Sequence, residues 1–506
     1  MRQTHLALLD AAARSARLRV RVSACIGVWI SACVSACVSA GPPAPDIETL
    51  DEAGYRGALQ QQFQYKPPAP GPAEINDRRA GQIADAAYFE AFPDFDHAYT
   101  RRTRAEARRR AVQLRNVAGG LSHEQFVLRV AEIAALADNG HTSIGFNAFK
   151  KNTPRIPLRT YWFPDGLYVL MASTTQDDLI GARVDAIDDT PVEAIYAGLR
   201  RYVGGEDAWR RLQVTALFES PAMLQAAGLA RSGDALTLSG IGADGVAFTR
   251  RVVAEQRDRG APIFPAAQQM LFPQPASRQP PSPDPGAMRS LLARDGSAPL
   301  WLSAPGKLFQ IDAAPREGLY VRLSHNNDAD EGPIAAVLDA VMARITTQHP
   351  AYLVVDMRMN GGGDYTTTYA FARALPEAMN GGHIYILTSG WTFSAAITTT
   401  AALKQAGGAR VSIVGEPVGD RLDFWAEGDQ FELPNSFLTV SYASGRHNYA
   451  GPCTDRRSCF WLNEKYPVRV RTLAPDLLAP LTFQAYAAGR DPAMEAVAHA
   501  EALRRP

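Results

Sequence analysis

The chain predicts an α/β protein built on a parallel sheet, and three observations carry that reading. From residue 301 onward, short β-type runs alternate with helical stretches of crossover length. Two of those runs end in features suited to a reacting group: Gly361-Gly362-Gly363 after one, and Ser394 at the head of an Ala/Thr-rich stretch after the other. Upstream, residues 74–137 read as helical and residues 154–256 as short strands with turns. The organisation expected is an N-terminal helical region, a β-rich middle domain and an α/β core.

In chain order, Arg14, Arg17, Arg19 and Arg21 precede an acid-free run over residues 22–40, the order of charged and apolar regions in a secretory signal. Cleavage after Ala40 fits, with Val38 and Ala40 at the small-residue positions. The same run admits lipidation at Cys33 or Cys37, behind Ile30-Ser31-Ala32 or Val34-Ser35-Ala36. Either reading exports the chain to a bacterial periplasm or cell envelope, and touches a membrane only through an N-terminal lipid anchor. Residues 41–73, rich in Pro, Ala and Gln, read as a tether.

Residues 74–153 form the helical region. Its arginine-crowded part, 100–115, reads as a solvated helix face. Ser122 with Gln125 predicts a capping box, and Phe126, Val127, Val130, Ile133, Ala134 and Ala137 make one apolar stripe. Asn139-Gly140 should stop that helix and leave His141 just beyond its end. Strands are expected at 161–163, 167–172, 183–187, 236–239 and 246–253, followed by a Pro-rich linker over 257–300. In the core, strands are expected at 318–324, 352–357, 383–387 and 410–414, and helices at 332–347, 366–375 and 394–405.

The 506 residues carry 52 Lys+Arg and 52 Asp+Glu, so no net field favours nucleic acid or an anionic surface. Three of the five cysteines lie in the leader. Cys453 and Cys459 flank a polar loop, and in an oxidising compartment they should form a disulfide. No histidine accompanies them, so zinc is not expected.

Consecutive glycines after a strand let main-chain N–H groups approach a ligand. A serine at a helix N-terminus sits in a positive field beside free donors. Together they suit a hydrolase that builds an oxyanion, although Ser394 also suits plain helix capping. His141 could equally complement a helix C-terminus, and His447 is a second candidate base.

The blocks Leu136-Ala137-Asp138-Asn139-Gly140-His141-Thr142, Val354-Val355-Asp356-Met357-Arg358-Met359-Asn360-Gly361-Gly362-Gly363, Thr392-Phe393-Ser394-Ala395-Ala396, Val414-Gly415-Glu416-Pro417 and Gly489-Arg490-Asp491-Pro492 follow in that order. In content and order they resemble the C-terminal processing peptidase family of serine peptidases, in particular its tricorn-core-like branch. The resemblance implies a crotonase-like α/β catalytic core over 301–506 and a PDZ-like β-rich domain over 154–256. It also implies a polypeptide substrate and no cofactor. Residues 179–203 resemble the PDZ turn and helix, with Asp188-Asp189 in place of the usual acidic-Gly turn.

Carried over by position, Ser394 matches the nucleophile, and the N–H groups of Ala395 and of Gly362 and Gly363 match the oxyanion hole. Where the processing-peptidase branch has its activating lysine, this chain has Asp420, in Val418-Gly419-Asp420-Arg421. The tricorn-like branch uses a histidine from an earlier segment, matched by His141, and a late supporting glutamate, for which Glu464 is the candidate. Ile397 stands where the family usually has Glu. The function implied is an exported serine peptidase. A non-catalytic relative that binds a peptide or apolar ligand, and an esterase using the same groups, are the alternatives.

Overall fold

Strands that read apolar at every position can only be satisfied by a sheet covered on both faces, and the core forms one. In the computed structural model, residues 75, 77–145, 153–255, 269–273, 288–292, 298–455 and 458–504 are described. The expected signal, both lipidation cysteines, the tether and most of the 257–300 stretch lie outside them. Among the described residues no helix is long and apolar enough to cross a membrane.

The N-terminal region packs helices α1 (Arg78–Phe89), α2 (Arg101–Val117) and α3 (His123–Ala135). The capping box at α3 forms as expected: Ser122 Oγ accepts the Gln125 N–H, and Gln125 Oε1 accepts the Ser122 N–H. The helix ends at Ala135, earlier than Asn139-Gly140, and a looser loop then carries His141. Strand β1 (Ser143–Ile144) leads away from that loop.

The middle of the chain forms an antiparallel sheet of β2 (Leu158–Phe163), β3 (Gly166–Ser173), β4 (Arg183–Ile187), β5 (Ala235–Ile241) and β6 (Ala247–Val253), paired in that order. Helices α4 (Val192–Leu199) and α5 (Asp207–Val214) are among those between β4 and β5 in the chain. Asp188 and Asp189 both take positive φ, 49° and 67°, so the pair makes the left-handed turn for which glycine is usual. The Asp188 carboxylate offsets the strain by accepting the Thr237 and Arg231 N–H groups. Within the expected linker, Met288–Ser290 pairs with β3, and Met270 and Leu271 are buried.

The core runs β7 (Phe309–Ala314), β8 (Gly318–Leu323), α6 (Ile334–Gln348), β9 (Tyr352–Asp356), α7 (Thr366–Ala378), β10 (His383–Thr388), α8 (Ala395–Gly407) and β11 (Val411–Gly415). Short strands β12 (Asp423–Ala426), β13 (Gln430–Leu433), β14 (Leu438–Ser441), β15 (Gly445–Asn448) and β16 (Leu477–Leu478) follow, and α9 (Pro492–Arg504) ends the chain. The main sheet has the order β16-β11-β10-β9-β8-β7; every neighbouring pair is parallel except β7 with β8. Leu353, Val355, Ile384 and Ile386 face α6, α7 and α8, while Val354, Tyr385 and Leu387 face α9 and residues of β2 and β3. β1 pairs with β14, which ties the His141 segment to the late part of the chain.

One buried ion cluster holds the carboxyl end of this sheet. Arg358, just past β9, donates to Asp356 and to both oxygens of Asp491 at 2.9 Å, and lies over the Trp301 ring. Tyr320 donates to Asp356 at 2.7 Å. Removing one partner strands charges where water cannot reach them. Arg358→Ala should therefore cost about 3–5 kcal/mol, read as a large fall in Tm. Asp491→Asn should cost clearly less, because Asp356 still pairs the guanidinium.

Candidate active site

Strands β9 and β10 are in register neighbours, so their carboxyl ends deliver the two key loops side by side. Hydrogen bonds then bind one loop to the other. Thr392 Oγ1 donates to the Met357 carbonyl at 2.9 Å, Ser389 Oγ to the Arg358 carbonyl at 2.6 Å, and the Phe393 N–H to the Asn360 carbonyl at 3.0 Å. The result is close approach: a Cβ added to Gly362 would lie 2.6 Å from Ser394 Cβ and 3.1 Å from the Ala395 nitrogen. Gly362 also has φ of 111°, so glycine is required there twice over.

Ser394 itself holds φ 54° and ψ −126°, a conformation that side-chain-bearing residues rarely adopt. Its side chain makes no capping hydrogen bond to α8, so the hydroxyl is not used to stabilise the helix. Ala395 is the first residue of α8, and its N–H has no partner one turn back. The Gly363 N–H has no protein acceptor among the described residues. The Gly362 N–H is different: it donates to Asn360 Oδ1 at 2.9 Å. Ala395 and Gly363 thus each carry an N–H at this junction with no acceptor among the described residues.

Residues that the sequence reading passed over brace the glycine loop. Asn326 and Asn327 follow β8; the Asn326 N–H donates to the Gly362 carbonyl at 2.9 Å, and Asn327 Oδ1 accepts the Asp364 N–H at 2.7 Å. The Asn326 amide also donates to Thr368 on α7 and Thr399 on α8, both at 2.9 Å. Two consecutive asparagines, separated by two residues from the end of a buried strand, were the available signal. Ile397 is fully buried in the helix-covered face of the sheet, a packing position.

His141 arrives from the N-terminal region and lies between two rings. It stacks on Phe393, the residue before Ser394, with centroids 4.4 Å apart, and on Phe424 at 5.6 Å. Phe393 stacks in turn on Trp209 of α5 at 4.0 Å. Both imidazole nitrogens are buried without a hydrogen-bond partner among the described residues. Burial, and secondarily the nearby His447, pulls the imidazole down to about 3. The nearest carboxylate is Asp420, whose Oδ2 lies 3.8 Å from His141 Nδ1. Burial pushes the Asp420 carboxyl up to about 7.

The loop holding His141 is fixed by its neighbours. Asp138 has φ of 51°, and its carboxylate pairs with Arg210 of α5 and with Arg421. Asn139 is buried; its Nδ2 donates to Thr142, which donates to the buried Asp96. A Cβ on Gly140 would lie 2.8 Å from the Phe393 ring, and one on Gly204 would lie 2.7 Å from the Asn139 nitrogen. Small residues on both sides let three regions of the chain meet here.

The other expected groups lie elsewhere or are engaged. His447, on β15, contacts Glu427 at 3.0 Å and the Tyr449 hydroxyl at 2.9 Å, so both of its nitrogens are engaged. Glu464 is exposed and borders a surface depression with Tyr369 and Arg373 of α7; it makes no hydrogen bond to His141. Neighbouring Trp461 and Leu462 are buried with Tyr365 and Ala395. Cys453 and Cys459 form the expected disulfide. Cys459 then bridges to Arg446 on β15, and Phe460 packs against His447. Across the strand ends from α8 lies a cavity of about 430 Å³, lined by Tyr161, Trp301, Met359, Trp391, Glu416 and Leu481 among others.

No family model matches this sequence, and no curated protein matches it. Among solved structures, mature CPAF complexed with lactacystin is similar with a TM-score of 0.51 at 12% identity, over 84% of this chain and 98% of that one. A second structure of mature CPAF gives 0.50 at 12% identity, over 81% and 94%. The photosystem II D1 C-terminal processing protease aligns over 83% of this chain and 99% of its own at 13% identity, with a TM-score of 0.33. At such identities the likeness is one of architecture, and the chain shares the fold of mature CPAF.

Proposed function

We propose that this chain is a serine peptidase in which Ser394 is the nucleophile, His141 the general base, and the N–H groups of Ala395 and Gly363 the oxyanion donors. The observation that carries the reading is the Ser394 junction. A strained serine at a helix N-terminus, with a hydroxyl not used in capping, meets a glycine loop at van der Waals distance. The sequence resemblance to C-terminal processing peptidases and the shared fold of mature CPAF point the same way. A histidine that burial keeps neutral can accept a hydroxyl proton and return it to a leaving amine. The substrate is a polypeptide.

Export is part of the proposal. A disulfide between Cys453 and Cys459 persists in an oxidising compartment, and the basic then apolar N-terminus supplies the route. The aromatic-lined cavity supports a second reading, a protein that binds an apolar or peptide ligand without hydrolysing it.

Labelling separates the two. A fluorophosphonate should modify the intact protein at Ser394, located by peptide mapping, and Ser394→Ala should abolish both labelling and hydrolysis of an unfolded protein with little change in Tm. His141→Ala should lower kcat by on the order of 10³-fold or more. Modification of no serine would leave the binding reading.

Gly362→Ala is a sharper geometric test. Its new methyl would occupy the space of Ser394 Cβ at a φ that alanine resists. It should lose labelling as completely as Ser394→Ala while the fold persists by circular dichroism. Full activity in that variant would mean that the two loops do not meet as described.

A further inference from the structure

Asp420 lies at the end of the loop that leaves β11, at the position where the lysine-dyad relatives carry their base. Its side chain is 2% exposed. Oδ1 accepts the Arg421 N–H at 2.8 Å, whereas Oδ2 is buried with no hydrogen-bond partner among the described residues. Across 3.8 Å stands His141 Nδ1, equally buried and equally without a partner. A buried acceptor and a buried ring nitrogen facing each other are unstable until they share a proton. The close approach depends on Gly140, since a Cβ there would lie 3.2 Å from Asp420 Oδ2.

The surroundings leave one direction for the imidazole to move. Phe393 covers one face and Phe424 the other, both within 26° of parallel, so the ring can slide in its plane more easily than it can tilt. A shift of about 1 Å toward Oδ2 would bring Nδ1 within hydrogen-bond distance. The charge pattern fits the same arrangement. With a histidine base, a lysine at position 420 would repel the imidazolium as it forms, whereas a carboxylate stabilises it.

We infer that Asp420 is the positioning residue of His141: its Oδ2 accepts the Nδ1–H, which fixes the tautomer that leaves the Nε2 lone pair free for the Ser394 hydroxyl. This rests on the reading of Ser394 and His141 given above, and it assigns to Asp420 the support that the family resemblance sought in Glu464. As the Ser394 Oγ–carbonyl carbon bond forms, the hydroxyl proton passes to Nε2. That proton then goes to the amide nitrogen as the C–N bond breaks. Asp420 stays ionised and the Nδ1 proton stays in place.

The pair titrates as a unit. Arg421, Asp138 and Glu206 surround Asp420, and His447, held by Glu427, faces His141 across Phe424. The carboxyl is pushed up to about 7, so the ionised partner of a neutral imidazole is reached only as pH rises through that range. The wild-type kcat/KM should accordingly climb through an apparent pKa near neutrality. Asp420→Asn removes that group and leaves an imidazole that burial holds at about 3. Its profile should be flat above about pH 5, with kcat lower by on the order of 10²- to 10⁴-fold and KM little changed.

Stability should move the opposite way. The folded carboxyl titrates above its unfolded value, so wild-type stability is lost as pH rises from about 4 to about 7. The Asn variant has no such loss, and its Tm should equal wild type near pH 4 and exceed it at pH 8. A less active yet more stable variant excludes misfolding as the cause. In a His141→Ala background, Asp420→Asn should add nothing. Asp420→Asn with wild-type kcat and an unmoved acid limb overturns the pairing, as do effects that multiply in the double variant. If His141→Ala is inactive while Asp420→Asn is fully active, only the pairing fails. If His141→Ala keeps the wild-type rate, the base reading fails and the pairing with it.

Discussion

Everything at the candidate site depends on the clamp between the loops that leave β9 and β10. Parallel neighbours in register end at the same level, so their exits are side by side without any special sequence. What the sequence adds is a set of cross-loop hydrogen bonds. Two hydroxyls, on Ser389 and Thr392, and one main-chain N–H, on Phe393, reach carbonyls of residues 357, 358 and 360. Each replaces a bond to water with an internal bond of modest net value, but three together fix direction. Only with that direction fixed can Gly362 lie against Ser394, and only then is the unfavourable φ of Ser394 held in place.

The second constraint is that the histidine comes from a different region of the chain. Its position is set by an aromatic column, Trp209, Phe393, His141, Phe424 and His447, in which each ring stacks on the next. Trp209 belongs to the β-rich domain, His141 to the N-terminal region, and the others to the core. Asp138 works at the edge of the same column, where Arg210 and Arg421 reach it from two directions. These ion pairs are partly exposed and contribute little stability individually; their effect is to hold the loop in register. A change in the β-rich region that shifted Trp209 would therefore be felt at Phe393, the residue next to Ser394.

Stability and chemistry are divided between separate clusters. The Arg358 group, with Asp356, Asp491 and Tyr320, is buried and fully paired, and it secures the sheet end. It also gives a physical reason for the late Gly489-Arg490-Asp491-Pro492 block, whose aspartate reaches back to the strand before the glycine loop. The two His141 ring nitrogens and Asp420 Oδ2 are buried without a hydrogen-bond partner among the described residues, which is costly for folding and is what the proposed proton transfer would use.

The sequence by itself determined the layers, the strand and helix order of the core from β8 to β11, the capping box at Ser122 and the nearness of the glycine loop to Ser394. These follow from apolar period, crossover length and the rule that parallel strands share one carboxyl end, all of which are local or topological. It did not carry the partners of His141, because stacking on Phe393 and Phe424 and facing Asp420 join residues 252 or more positions apart. Nor could spacing show that Gly362 donates inward to Asn360, that Asn326 and Asn327 brace the loop, or that Glu464 lies on the surface. Short strands β12 to β15 were not legible either: each is only four residues, and β14 is completed by pairing with the distant β1. Side-chain direction inside a loop is set by whatever packs against it, and that is decided only when the three regions come together.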